Sequence, residues 1–242
     1  MGGAAVKMQA IALGFFYILL SAFCVACANT VDVSSAGKEL RTAASYCEYS
    51  PWCNIVAVEK SWPSIIPDRL DTALFNNGVF AFQLPRQFHK ISVLGTPPMV
   101  IARYTNHHIA VISEKIHDHG ASMLEKITTS VPTEHKLSPL DYIDIMFTKT
   151  LADPEPDNQY DRILWRAAFS GKSAQTYSSV TSAEIYRREP WAIYVLNLDE
   201  STRTRDTMAI RRDQPGFYLR IVDKGASLST ILDLVATATL DR

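Results

Sequence analysis

The spacing of the short β-prone runs is the strongest constraint on this chain. Residues 99–104 and 108–116 are separated only by Thr105-Asn106-His107, and 91–94 is separated from 99–104 by the turn cluster Gly95-Thr96-Pro97-Pro98. Gaps this short hold no crossover, so the runs must fold back as antiparallel hairpins. Further β-prone runs lie at 55–58, 79–84, 177–187, 191–198, 207–211 and 217–222. In the last of these Phe217, Leu219 and Ile221 share one face, and Tyr218, Arg220 and Val222 share the other.

Helical periodicity interrupts the strands. Ser138-Pro139 reads as an N-cap followed by proline at the first helical position, and Leu140, Ile143, Phe147 and Leu151 form an apolar stripe. A second helix begins near residue 158, with Tyr160, Ile163, Leu164 and Phe169 on helical spacing. Gly225-Ala226-Ser227 opens a last helix whose buried stripe is Leu228, Ile231, Leu232 and Val235. A shorter helix is expected over 67–75, stopped by Asn76-Asn77-Gly78. Strands in sequence with helices between and after them predict an α+β fold: an antiparallel sheet flanked by helices, an α/β/α sandwich. We expect it to form a single domain over 46–242. The composition, 47% hydrophobic and 20% charged over 242 residues, suits one well-buried core.

The first 28 residues have the three parts of a secretory signal. Lys7 is followed by the nearly continuous apolar run 10–22, then by the small residues Val25-Ala26-Cys27-Ala28. Two cleavage chemistries fit. Ala26-Cys27-Ala28 satisfies the small-x-small rule and would leave Asn29 first. Val25-Ala26-Cys27 resembles the end of a bacterial lipobox, in which Cys27 is acylated and becomes residue one, although Cys24 stands where a Leu is usual. The small, polar stretch 29–45 suits a flexible tether, which favours the lipoprotein. In that resemblance Ala28 is not the Asp that retains such proteins in the inner membrane. The address expected is therefore the periplasm, tethered to the outer membrane. Either cut leaves only Cys47 and Cys53, and two cysteines in an oxidising compartment predict one structural disulfide worth about 2 kcal/mol.

The chain also carries Phe82-Gln83-Leu84-Pro85-Arg86-Gln87-Phe88, leading into hairpin strands and then a helix, and closes on a strand, Gly225-Ala226-Ser227 and an apolar helix. Over residues 78–240 this order resembles the PsbP-like and DcrB-like α/β/α proteins, many of them lumenal or periplasmic lipoproteins. The resemblance implies a non-enzymatic scaffold that serves as an accessory, chaperone or adaptor.

Catalytic signatures fail on inspection. Gly171-Lys172-Ser173 lacks the glycine a phosphate loop needs five positions earlier, where Arg166 stands. No Gly-x-Ser-x-Gly surrounds Ser122, Ser173 or Ser227. Glu114-x-x-His117 has di-iron spacing but falls on an expected strand and has no second copy. His107 and His108 lie one strand length, about 27 Å, from His117 and His119, too far for one coordination shell. The pair His117 and His119 remains a candidate metal site, but no metal or other cofactor is expected. With 24 Lys plus Arg against 25 Asp plus Glu, the chain lacks the basic excess of a nucleic-acid binder.

The back third is rich in arginine: Arg187, Arg188, Arg203, Arg205, Arg211, Arg212 and Arg220, interleaved with Glu189, Asp199, Glu200, Asp206 and Asp213. This reads either as a self-compensating strand surface or as a patch for an acidic partner. Trp52, Trp62 and these arginines are the expected anchors in the second case, and Ala at Trp62, Arg203 or Arg205 is expected to weaken partner binding without unfolding the domain. The function expected is therefore binding of a protein partner in the cell envelope, of immunity or accessory type, without catalysis. A periplasmic hydrolase with a dispersed site and a small-ligand or metal binder are the alternatives. Intact mass of membrane-extracted protein is expected to show loss of residues 1–26 and a diacylglyceryl group on Cys27. A soluble product beginning at Asn29 would remove the lipid and retain export.

Overall fold

The expected hairpins form, and their register decides which side chains reach each face. The computed structural model describes residues 42–48, 50–63, 71–96, 98–115, 139–174, 180–214 and 216–240. The signal, Cys27, residues 29–41 and the His117–His119 pair lie outside them. Eleven strands occur among the described residues: β1 (Val58–Lys60), β2 (Thr72–Asn76), β3 (Phe80–Pro85), β4 (Lys90–Leu94), β5 (Met99–Arg103), β6 (His108–Lys115), β7 (Ser182–Arg188), β8 (Trp191–Asp199), β9 (Thr204–Arg211), β10 (Phe217–Lys224) and β11 (Thr239–Leu240). Four α-helices accompany them: α1 (Ala43–Tyr46), α2 (Pro139–Thr148), α3 (Gln159–Ala174) and α4 (Leu228–Thr237). The fold is α+β.

Eight strands make one sheet in the order β1-β7-β8-β9-β10-β6-β5-β4. Two antiparallel meanders, β4-β5-β6 and β7-β8-β9-β10, meet where β6 pairs with β10 over eight residues, His108↔Lys224 to Lys115↔Phe217. All its pairings are antiparallel except the parallel one between the short edge strand β1 and β7. The stretch from β6 to β7 contains α2 and α3, which pack on one face against Ile185, Tyr194, Leu196, Ile210 and Tyr218. The opposite face carries Val111, Ile193, Val195, Ala209, Leu219 and Ile221, packed against α4 and against Phe80, Phe82 and Leu84 of β3. The second face is thus covered by one helix together with a three-stranded sheet, β11-β3-β2, rather than by helices alone as in a plain α/β/α sandwich.

Two local expectations are corrected. Thr72–Asn76, expected at the end of a short helix, is strand β2 and pairs with β3 from Thr72↔Pro85 to Asn76↔Ala81. The Asn76-Asn77-Gly78 signal is a hairpin turn, not a helix stop. Asn76 Oδ1 accepts from Gly78 N at 2.7 Å, Asn77 Oδ1 accepts from Phe80 N at 2.9 Å, and Gly78 has φ +83°. The alternation of period two then turns Phe75 inward onto Phe82 and Phe88. The helix from Pro139 ends at Thr148, short of Leu151, because Asp153 Oδ2 accepts from Thr150 N at 2.8 Å and diverts the chain. At the last helix the expectation holds: Ser227 Oγ accepts from Thr230 N at 3.0 Å, as an N-cap should.

The segment before β1 is stapled onto α3. Cys47 and Cys53 form the disulfide, with Cα atoms 5.8 Å apart. Ala43, Cys47 and Cys53 are buried with Trp165 and Phe169 of α3, so residues from 43 onward belong to the folded body and not to the tether. Beside them lies Lys172, fully buried. Its Nζ donates to the carbonyl of Lys149, just past the end of α2, at 2.7 Å and to that of Ile55 at 3.1 Å. It also sits over the rings of Trp52 and Phe169, at 5.7 and 5.6 Å. One ammonium therefore joins the N-terminal segment, the C-terminal end of α2 and α3, where a cation complements the helix dipole.

Burial lowers the Lys172 pKa from 10.5 to about 8, and Asp153 opposes that shift only in part. Between those two values the unfolded chain binds more protons than the folded one, so stability rises with pH. The full effect is about 3 kcal/mol, with about 2 kcal/mol of it gained between pH 7.5 and 9.5. Urea denaturation of the oxidised protein at those two pH values is expected to show this rise. Lys172→Met is expected to abolish it.

Candidate functional site: a row of basic residues across four strands

The register of the large sheet aligns basic residues across four strands. Lys90 on β4 pairs with Arg103 on β5, Arg103 with His108 on β6, and His108 with Lys224 on β10. Residues directly opposite in antiparallel strands point to the same face, so all four stand on the face that carries α2 and α3. Strands lie about 4.8 Å apart, which makes the row about 14 Å long. Lys90, His108 and Lys224 are exposed and Arg103 is half-buried. None of the four has a carboxylate partner among the described residues. Partial desolvation of its ring lowers the pKa of His108, and the neighbouring Lys224 and Arg103 cations lower it further against a smaller pull from Asp223, so His108 is a neutral imidazole between two cations at neutral pH. Lys90 opposite Arg103 sets two like charges directly across from one another, which destabilises a sheet.

At its inner end the row meets Arg203. Lys224 pairs with Thr204, and Gly225 N donates to the Arg203 carbonyl at 3.0 Å. Gly225 has φ +82°, and a Cβ there would lie 3.0 Å from the Asn106 carbonyl oxygen, so only glycine lets the turn after β10 press against the β5–β6 turn. Arg203 is exposed, with φ +50° in the turn before β9. That turn is held by Asp199, whose carboxylate accepts from the Ser201 and Thr202 hydroxyls at 2.7 and 2.8 Å. Those bonds hold its pKa down at about 2.

The anchors expected from the sequence do not gather. Arg205 is buried, and its guanidinium grips Asp223 with two bonds of 3.0 and 2.8 Å and donates to the Ala226 carbonyl. It fixes the turn into α4 and is not an exposed partner contact. Trp62 is half-buried against the core, with the Arg188 guanidinium 5.5 Å from its ring centre. The Arg188 row runs through Trp191 to Arg211, at the far end of β9 from Thr204, so Trp62 and Arg203 are about 23 Å apart along the sheet. Trp52 is fully buried.

The other back-third arginines are largely self-compensated. Arg187 binds Asp144 at 2.8 Å, Arg211 binds Asp213 at 2.7 Å and Arg212 binds Glu189 at 2.6 Å. Arg220 binds Asp206 at 2.7 Å and lies 3.7 Å from Glu114. Glu114, the carboxylate of the Glu-x-x-His spacing, also accepts from the Tyr218 hydroxyl. Among the described residues no group of three or more His, Cys, Asp or Glu could hold a metal ion.

Comparison with known proteins found no family model and no curated sequence that matches this chain.

The basic row was legible only in part. Hairpin lengths place Lys90, Arg103 and His108 near the same ends of β4, β5 and β6, but nothing local brings Lys224 beside His108. Asp223→Ala is expected to cost about 3–5 kcal/mol, because it strands a buried guanidinium. Arg203→Ala is expected to cost less than about 0.5 kcal/mol. Urea denaturation of both variants checks the contrast, and a loss under about 1 kcal/mol for Asp223→Ala would refute the role given to the pair.

Proposed function

We propose that this chain is an exported, lipid-anchored protein of the bacterial envelope. It binds a protein partner through the Lys90–Arg103–His108–Lys224 row, in the manner of an immunity or accessory protein and without catalysis. The observation that carries this reading is the contrast between that row and the remaining charges. Most arginines of the sheet have their own carboxylates, whereas the four row residues have none among the described residues. Uncompensated charge aligned at regular spacing suits an anionic surface, where it sets specificity and the rate of encounter. Arg203, exposed in the turn before β9, precedes Thr204, the residue opposite Lys224.

The signal-like first 28 residues, Cys27 and the tether support the envelope placement, and the resemblance to PsbP-like and DcrB-like proteins supports a scaffold role. A protein suits the row better than a lipid surface does, because the row opens at Lys90 onto a strand edge whose backbone groups only a peptide can pair.

Affinity capture with the tagged full chain from envelope extract is expected to yield one dominant protein. Raising salt from about 50 to 500 mM should release it, since exposed charge pairs are screened. Arg103→Glu combined with Lys224→Glu should abolish capture and leave the circular dichroism spectrum unchanged. Capture insensitive to both salt and charge reversal would overturn the proposal. Row-dependent binding of unlipidated Cys27→Ser protein to anionic phospholipid vesicles, with no protein captured, would assign the row to the membrane instead.

A further inference from the structure

The row ends on a strand with one side unpaired among the described residues. β4 is the last strand of the large sheet and pairs only with β5 among the described residues. Along an antiparallel strand, alternate residues direct both backbone groups to one neighbour, so among the described residues nothing pairs the outer N–H and C=O groups of β4. Val93 and Leu94 on this strand are 58% and 40% exposed, among the few large apolar residues left in solvent. β4 holds no proline and no acidic residue, and its single charge is Lys90. The opposite edge, β1, also exposes Val58, but it has only three residues, and Glu59 there lies 3.5 Å from Arg187. A short, charged edge resists pairing, whereas a five-residue edge with apolar side chains on both faces invites it.

Resting on the binding role proposed above, we infer that the partner docks by adding an extended segment antiparallel to β4, with an acidic residue opposite Lys90. Register dictates the remaining positions. Lys90, Ser92 and Leu94 point to the helix-bearing face, and Ile91 and Val93 to the other. Read from its N-terminus, the added segment places apolar residues opposite Leu94 and Val93. Then come any residue opposite Ser92, an apolar one opposite Ile91, and Asp or Glu opposite Lys90. The terminal carboxylate becomes the next member of the row, beside Lys90 and with Arg103 and His108 behind it. The backbone ladder supplies affinity and the row selects register, since a slip of one residue turns the carboxylate to the other face.

The probe is a capped, fluorescently labelled peptide with the core Val-Val-Thr-Val-Glu, titrated by anisotropy against the full oxidised protein. Changing its Glu to Lys should weaken binding at least fivefold, and N-methylation at alternate residues should abolish it. Lys90→Glu should reverse the preference, binding the Lys peptide better than the Glu peptide. The charge exchange locates the acidic position at Lys90, and the N-methylated peptide and the β4 amides report the strand pairing itself. Hydrogen exchange of the β4 amides in the captured complex should slow at alternate residues. If the Glu and Lys peptides bind equally and the β4 amides keep their exchange rates in a complex that still depends on Arg103 and Lys224, strand addition is wrong and the binding role stands. If capture itself ignores the row, both fail.

Discussion

The pairing of β6 with β10 is the interaction on which the rest of the structure depends. It joins segments about a hundred residues apart and turns two meanders into one eight-stranded sheet. Closing so long a loop is entropically costly, and the return is an extended surface with apolar residues on both faces. The same register sets Lys224 against His108, Tyr218 against Glu114 and Asp223 against Ile109. A slip of one residue would send Leu219 and Ile221 to the wrong face, so burial on both sides locks the alignment. The same lock adds Lys224 to the basic row that the two hairpins begin.

Buried charge is used at two other joints. Lys172 ties the disulfide-stapled segment to α2 and α3, and Arg205 with Asp223 ties β9 and β10 to the turn into α4. Neither arrangement is the cheapest way to fill space, since a buried charge loses hydration that its partners only partly replace. Each joins elements that apolar packing alone would leave free to slide, and each satisfies backbone carbonyls at a helix end or turn. Burial of the Lys172 ammonium is permitted by two carbonyl oxygens and two aromatic faces, and its lowered pKa reflects the remaining deficit.

Most of the strand pattern was legible because hairpins are local. Thr105-Asn106-His107 and Gly95-Thr96-Pro97-Pro98 each sit between β-prone runs, and the strands flanking both pair as antiparallel neighbours. The errors arose where one signal serves two structures. Asn-Asn-Gly ends helices and also reverses hairpins, and only the pairing of Phe75 with Phe82 selects the second. Arginine density was visible, but its meaning was not. Arg203 and Arg205 are two residues apart, yet one is exposed in a turn and the other is buried against Asp223.

The sequence by itself determined the α+β class, the short-range hairpins, the Ser227 cap and the single disulfide. The hairpins and the cap follow from residues within a few positions of one another, whereas the class follows from the order of such local elements and the disulfide from the export signal together with the two remaining cysteines. Only the tertiary structure decided that a small sheet shares the second face with α4, that Lys172 is an internal cation, and that Lys90, Arg103, His108 and Lys224 stand in line. Those outcomes require the β6–β10 register and the packing of both faces, and burial there is a property of elements far apart in the chain.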